Sequence, residues 1–261
     1  MNNPLDFTGR AVLITGGSAG IGRRLAERFL AAGADVMICS RRVPEHLPAH
    51  AGRAAAHIVA DVRDAESVAR LVQAAVARLG RLDVLINNAG GSPYALAADA
   101  SPRFLDKIIQ LNLTAPLLLS QQANAVMQEQ EGGGVILNVA SVSGTRPSPG
   151  TAAYGAAKAG LINLTATLAV EWAPRVRVCA ITAGLIATEK AHMHYGSPAG
   201  IAAAAGTVPL GRLGVPDDVS DAALFLASPM ASYISGVDLT LHGGGASPAF
   251  LTAVQAAMKG S

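Results

Sequence analysis

A tyrosine and a lysine stand four residues apart in T-A-A-Y-G-A-A-K-A-G, residues 151–160. In a helix that spacing sets Tyr154 and Lys158 on one face, a turn apart. An ammonium beside a phenol favours the phenolate and draws the tyrosine pKa down from its ordinary value near ~10. A phenol tuned in this way can pass a proton to or from a substrate oxygen. The plain alternative is a helix residue beside a solvated charge, because the spacing is common in helices. A second stretch with chemistry in its composition is G-G-S-A-G-I-G at 16–22. Glycines let a backbone turn tightly and let a pyrophosphate approach the amides of a following helix N-terminus. No Gly-Lys-Ser/Thr follows, so this is not a P-loop.

The elements that must position these residues read as alternating strands and helices. The apolar run at 11–15 feeds directly into the glycines, and Ile21, Leu25, Phe29 and Leu30 then mark one helix face. A second strand at 35–39 ends in Ser40-Arg41-Arg42. A carboxylate there would accept from adenosine ribose hydroxyls; arginines instead favour a 2′-phosphate, with Arg41 the better placed and Ser40 a further hydroxyl donor. Residues 43–53, with Pro44 and Pro48, read as a variable loop. Further strands are expected at 55–59, ending at Asp61-Val62, and at 82–86, ending in Asn87-Asn88-Ala89-Gly90. Those asparagines either line a crevice or form an ordinary turn.

Ser101-Pro102 opens a long helix that carries Asn112 and runs toward Gln130 with a kink at Pro116. Strands at 135–139, 175–181 and 237–241 complete the set, with Ser141 just beyond the first of them, thirteen residues before Tyr154. Residues 185–210 look like an insertion with its own helix, and 246–261 like a short terminal one. The expectation is an α/β, doubly wound parallel sheet (Rossmann-type) in a single domain, with a small substrate lid. The glycine turn, Asn88, Ser141 and Gly184 then share the carboxyl edge of the sheet, where such folds place a cofactor.

Composition bounds the partners. Half of the 261 residues are hydrophobic, 15% are charged and the net charge is +2. A large core is expected, with no nucleic-acid or membrane partner. Cys39 and Cys179 sit in apolar runs and read as buried free thiols, and no cluster has metal-ligand spacing. Without an apolar signal core or a membrane-spanning run, the expected location is the cytoplasm.

Taken in order, T-G-G-S-A-G-I-G at 15–22, N-N-A-G at 87–90, Asn112, Ser141, Y-G-A-A-K at 154–158 and P-L-G-R-L-G-V-P-D-D-V at 209–219 resemble the short-chain dehydrogenase/reductase family, notably its 3-oxoacyl reductase-like members. L-F-L-A-S at 224–228 and G-V-D-L-T-L-H-G-G at 236–244 extend the resemblance over nearly the whole chain. The resemblance implies that Tyr154 is general acid in reduction and base in oxidation. It implies that Lys158 lowers the tyrosine pKa and holds the nicotinamide ribose, that Ser141 binds the substrate oxygen, and that Asn112 holds a water in a relay from Lys158. Ser141, rather than Ser143 or Ser148, has the family spacing to Tyr154. Gly16, Ser18, Ile21 and Gly22 would meet the pyrophosphate and neighbouring ribose, Asp61 and Val62 flank the adenine, and Asn88, Ala89 and Gly90 line the ribose. Gly184, Ile186 and Thr188 would meet the nicotinamide.

Two departures stand out: Ala183-Gly184 replaces the family's usual Pro-Gly, and Ala19 replaces the arginine of many NADP-preferring members. Cofactor choice therefore rests on Ser40 and Arg41, which favour NADP over NAD. The expected activity is interconversion of a carbonyl and a secondary alcohol, on a moderately apolar substrate given the alanine-rich lid. The alternative is a catalytically inactive NADP-binding regulator or scaffold. His192, His194 and Tyr195 fall in the lid, as substrate contacts or as exposed residues. The family association implies a homotetramer, using the helices of Asn112 and Tyr154 and the last strand.

Overall fold

A computed structural model of the chain describes residues 3–189, 191–245, 254, 257 and 258. β1 (Ala11–Thr15) is buried along its whole length. Successive strand residues point to opposite faces, so a run apolar at every position needs cover on both sides. Val12 and Ile14 enter one core with Leu25 and Phe29 of α1 (Gly20–Ala31), and Leu13 enters the other. β1 is flanked by β2 (Asp35–Ser40) and, across the fold, by β6 (Val84–Asn87).

The complete parallel sheet has the order β5-β2-β1-β6-β7-β8-β9, where β5 is Ala56–Val59, β7 Gly134–Ser141, β8 Val176–Ala183 and β9 Asp238–Leu241. The chain moves outward from β1 to β5, then crosses back to β6 and proceeds the other way. That reversal opens a crevice above the carboxyl ends of β1 and β6.

The expected order of strands and helices holds through most of the molecule, with local differences. The loop expected at 43–53 contains a small hairpin, β3 (Ala49–His50) and β4 (Arg53–Ala54), turned through Ala51 at φ 45° and Gly52 at φ 80°. Two successive left-handed residues match the twist of a two-residue hairpin loop, although Ala51 is an unusual occupant. α2 (Ala65–Leu79) starts on Asp64, whose side chain accepts from the Ser67 amide, and stops on left-handed Gly80.

The helix expected from Ser101 to Gln130 is interrupted: α3 (Pro102–Ile109) passes into a π-turn at Gln110–Thr114 before α4 (Ala115–Glu129). Pro116 accounts for the break. It has no N–H to give the carbonyl of residue 112, four positions earlier, and its ring crowds that carbonyl. α5 (Ala152–Glu171) follows β7 through a 3₁₀ turn at Val142–Gly144.

The lid has two short helices rather than one, α6 (Ala191–Tyr195) and α7 (Pro198–Gly206), and α8 (Pro216–Ala227) leads to β9. Within 246–261, residues 254, 257 and 258 are helical; the rest of the expected terminal helix lies outside the described residues. Cys39 and Cys179 are buried and free. Among the described residues no helix is long and apolar enough to cross a membrane, and no cluster could hold a metal ion.

Candidate active site

The crevice is a cleft of about 1210 Å³ along the carboxyl edge of the sheet. Its centre is the glycine turn. Gly16 has φ +65°, and a Cβ on Gly22 would fall 2.3 Å from the Gly16 carbonyl oxygen and 2.4 Å from Asn88 Nδ2. Only glycine lets α1 begin so close to β1. Asn88 Nδ2 donates to the carbonyls of Thr15 at 2.9 Å and Gly16 at 3.3 Å. Thr15 Oγ1 accepts from the amides of Asn88 and Ala89, each at 3.0 Å. The N-N-A-G segment is thus bonded to the turn it faces. Ala19, at the N-cap of α1, supplies no side-chain acceptor. The Gly20 amide donates instead to the Glu189 carboxylate, at 3.0 Å.

At one end of the cleft lie Ser40, Arg41, Asp61 and Val62. Ser40 differs from the expectation of a spare hydroxyl donor. Its Oγ donates to the Arg42 carbonyl at 2.7 Å and lies 2.8 Å from His57 Nε2. With the hydroxyl proton committed to Arg42, Ser40 accepts from His57. Burial holds the His57 ring below its ordinary pKa. Asp61 accepts from Arg63 Nε at 2.9 Å and Nη2 at 2.5 Å, and these bonds hold its carboxyl below the usual carboxylate range. Arg41 lines the cleft and forms no ion pair with a described residue.

At the other end β7 delivers Ser141, and α5 delivers Tyr154 and Lys158. The Lys158 ammonium lies 5.7 Å from the centre of the Tyr154 ring, so the helical spacing does bring them together. The electrostatic consequence expected from that spacing does not follow. Burial pushes the Tyr154 phenol up, against the nearby Ser141 hydroxyl, which pulls it down. Burial also pushes Lys158 down, to about 8. Lys158 is 3% exposed and its Nζ donates to the Val139 carbonyl at 2.7 Å. The charge that should draw the phenol down is itself disfavoured by the same dry surroundings.

Asn112 sits in the π-turn behind this end. Its Oδ1 accepts from the Gly91 amide at 2.9 Å, and its Nδ2 donates to the carbonyls of Gly91 at 3.0 Å and Ile108 at 2.9 Å. A Cβ on Gly90 would fall 2.8 Å from Asn112 Oδ1 and 3.3 Å from Lys158 Nζ, so both converge on that glycine. Gly16, Ser18, Ile21, Gly22, Asn88, Ala89, Gly90, Ser141, Tyr154, Lys158, Gly184, Ile186 and Thr188 all line the cleft; Asn112 does not.

Ser148 is engaged by neighbouring hydroxyls: its Oγ is 3.1 Å from Ser143 Oγ, to which it donates, and 2.6 Å from Thr151 Oγ1. Sequence reading missed Ser92, Arg146 and Thr151, which line the same end. Arg146 lies five residues past Ser141, on the loop leaving the strand, and that position was its only signal. Tyr195 reaches the cleft from the lid, His192 is exposed, and the side chain of His194 lies outside the described residues.

A dinucleotide fits this donor set. A helix start whose own N-cap residue offers no acceptor faces the cleft, glycines leave room beside it, and arginine stands at one end. The model for the enoyl-(acyl carrier protein) reductase family matches residues 16–246. The 3beta-hydroxysteroid dehydrogenase 1 of Eggerthella lenta is 37% identical over 246 residues, covering 92% of this chain and 94% of that protein. The D-threitol dehydrogenase of Mycolicibacterium smegmatis is 36% identical over 242 residues, covering 90% and 92%. A crystal structure of a short-chain type dehydrogenase/reductase from Mycobacterium marinum superposes with a TM-score of 0.84 at 32% identity, covering 94% of this chain and 98% of that one. The family uses nicotinamide dinucleotides, and the chain belongs to it: this is a short-chain dehydrogenase/reductase, an oxidoreductase of alcohols and carbonyls.

Proposed function

We propose that the protein is an NADP(H)-dependent oxidoreductase that interconverts a carbonyl and a secondary alcohol, with Tyr154 as the acid and base. The observation that carries this reading is the convergence of Ser141, Tyr154 and buried Lys158 on one end of the cleft, at the strand edge that also holds the glycine turn. The nicotinamide supplies or accepts the hydride when bound. Tyr154 gives its proton to the carbonyl oxygen in reduction and takes it back in oxidation. Ser141 donates to the same oxygen and stabilises the charge that develops there. Lys158, at a pKa of about 8, exchanges a proton near neutral pH and steadies the ribose. Because the Asn112 amide is engaged by Gly91 and Ile108, its part in a proton relay falls to its backbone carbonyl, which Pro116 leaves without an α-helical donor.

Gly16, Ser18, Ile21 and Gly22 hold the pyrophosphate. Asp61 and Val62 flank the adenine, Asn88, Ala89 and Gly90 line the ribose, and Gly184, Ile186 and Thr188 meet the nicotinamide. Arg41 selects NADP through the 2′-phosphate. The chain acts as one oxidoreductase domain with the lid at 185–210 inside it. Tyr154→Phe tests the reading. Turnover of a ketone panel, followed by nicotinamide absorbance, should fall by ~10²–10⁴-fold with NADPH binding retained. Activity within about tenfold of wild type would remove Tyr154 from the acid role.

A further inference from the structure

We infer that the substrate end of the cleft takes a carbonyl or hydroxyl compound that also carries an oxyanion, carboxylate or phosphate, and that Arg146 binds this group. The 3₁₀ turn at Val142–Gly144 lies directly on α5: a Cβ on Gly144 would fall 2.6 Å from the Ala159 amide nitrogen and 2.7 Å from the Lys158 carbonyl carbon. The Thr145 amide and hydroxyl both donate to the Val142 carbonyl, each at 3.1 Å. Arg146 therefore leaves a fixed stretch of backbone, and it lines the cleft together with Ser141, Ser143, Thr151, Tyr154 and Tyr195.

Arg146 forms no hydrogen bond or ion pair with a described residue, and it is exposed. Most other arginines have a carboxylate: Arg10 and Arg81 share Asp83, Arg24 has Asp217, Arg63 has Asp61 and Arg212 has Asp218. Among the described residues the only carboxylate lining the cleft is Asp61, at the far end and already bonded to Arg63. No carboxylate of the described residues therefore balances the positive charge at the substrate end. That charge is felt across the cleft, where it works against the burial that raises the Tyr195 phenol. Around it the walls carry the hydroxyls of Ser141, Ser143, Thr151, Tyr154 and Tyr195, beside apolar Val142 and Leu185. Ser143 accepts from Ser148 at 3.1 Å and keeps its own proton to donate. This lining suits a polar, anionic molecule better than the moderately apolar one that the alanine-rich lid suggested.

A guanidinium in such a place can grip a carboxylate or phosphate through two parallel hydrogen bonds. The oxyanion takes no part in bond making; it holds the carbonyl oxygen toward Tyr154 and so fixes which face of the carbonyl is left for the hydride. The inference thus rests on the oxidoreductase reading for its orientation, but not for binding.

The test uses two probe pairs that differ in charge: acetoacetate against methyl acetoacetate, and dihydroxyacetone phosphate against dihydroxyacetone. Each is titrated calorimetrically into the full chain, with and without NADPH, and assayed for turnover by nicotinamide absorbance. Wild type should bind one charged probe at least about tenfold more tightly than its neutral partner, and the pair that shows this identifies the oxyanion. In Arg146→Gln that ratio should fall to near one, with the melting temperature unchanged. Equal binding of charged and neutral partners in both pairs, or a preference that survives Arg146→Gln, overturns the inference. Charge-selective binding without turnover of any probe would keep the anion site and count against the oxidoreductase reading. Turnover of a neutral ketone without charge preference would do the reverse.

Discussion

Replacing Lys158 by methionine should change how stability depends on pH, by an amount that follows from burial. Lys158 is 3% exposed, and burial lowers its pKa from 10.5 to about 8. Below pH 8 the lysine is charged in both the folded and unfolded chain, and folding bears the full penalty of burying the charge. Between the two pKa values the unfolded chain holds the proton and the folded one does not, so stability rises with pH by ~1.36 kcal/mol per pH unit. Above the unfolded value the penalty is gone. The total is about 3 kcal/mol. Methionine fills a similar volume without the charge, so the variant lacks this rise. Its gain over wild type should shrink by about 3 kcal/mol between neutral pH and pH 10.5.

The bond from Lys158 to the Val139 carbonyl complicates the absolute difference but not its pH dependence. Losing it leaves an offset of ~1–3 kcal/mol that does not titrate. Burial also pushes the Cys39 thiol up to about 12 and raises the Cys179 thiol and the Tyr154 phenol. These groups keep their protons longer when folded, so both proteins lose stability as pH rises past the ordinary thiol range. Because they are common to both, the difference between the two urea-unfolding series isolates Lys158. The assay is urea unfolding without cofactor, at several values from pH 7 to 10. Parallel stability curves would refute the buried-ammonium argument. The same substitution should remove turnover and weaken NADPH binding, which makes Lys158 a residue retained for the site at a cost in stability.

Three further outcomes follow. Arg41→Ala should weaken NADPH binding by roughly ten- to a hundredfold, the loss of a charge-assisted contact, and leave NADH binding nearly unchanged. A clear NADH preference in the wild-type protein would overturn that assignment. Glu189→Gln removes the negative charge that takes the Gly20 amide and should tighten NADPH binding several-fold in a fluorescence titration; weaker binding would mean that the bond positions the lid instead. The exposed face of α5, with Ala152, Ala156, Ala159, Ala166 and Val170, leaves room for close helix packing, and we expect a homotetramer. Light scattering from a monomer at micromolar concentration would exclude it.

What was legible in the sequence was whatever depends on pattern along the chain. Strands such as β1 and β8 announce themselves because both faces are apolar, and α3 because Ser101 and Pro102 mark its start. Spacing also placed Ser141, Tyr154 and Lys158 around one point. Spacing could not give the sign of the pKa changes, because that depends on how dry the assembled site is. Nor could it show that the Ser40 hydroxyl is taken, since His57 reaches it from β5, a partner defined only by the pairing of Ile38 with His57. The hairpin at Ala49–Ala54 was hidden because its turn puts an alanine where glycine or asparagine would have signalled it. The π-turn was in principle readable, from a proline four residues after Asn112.

The two asparagines at 87 and 88 show how the site depends both on a group that lines it and on one that never faces it. Strand alternation sends them in opposite directions. Asn88 ties the crevice to the glycine turn. Asn87 points inward, and its Nδ2 donates to Asn138 Oδ1 at 2.9 Å and Ser120 Oγ at 3.0 Å. Asn138 Nδ2 donates in turn to Thr165 Oγ1 at 2.9 Å, and Thr165 Oγ1 donates to the Leu161 carbonyl at 2.8 Å. All four side chains are buried. Leaving any one partner unpaired there costs ~1–3 kcal/mol, whereas a slip between elements would unpair several at once. The network joins β6, β7, α4 and α5. It therefore fixes the strand that ends in Ser141 against the helix that carries Tyr154 and Lys158. Apolar packing alone tolerates small shifts between a helix and a sheet. This buried chain of directional bonds resists them, and so holds the strand of Ser141 and the helix of Tyr154 in one relative position.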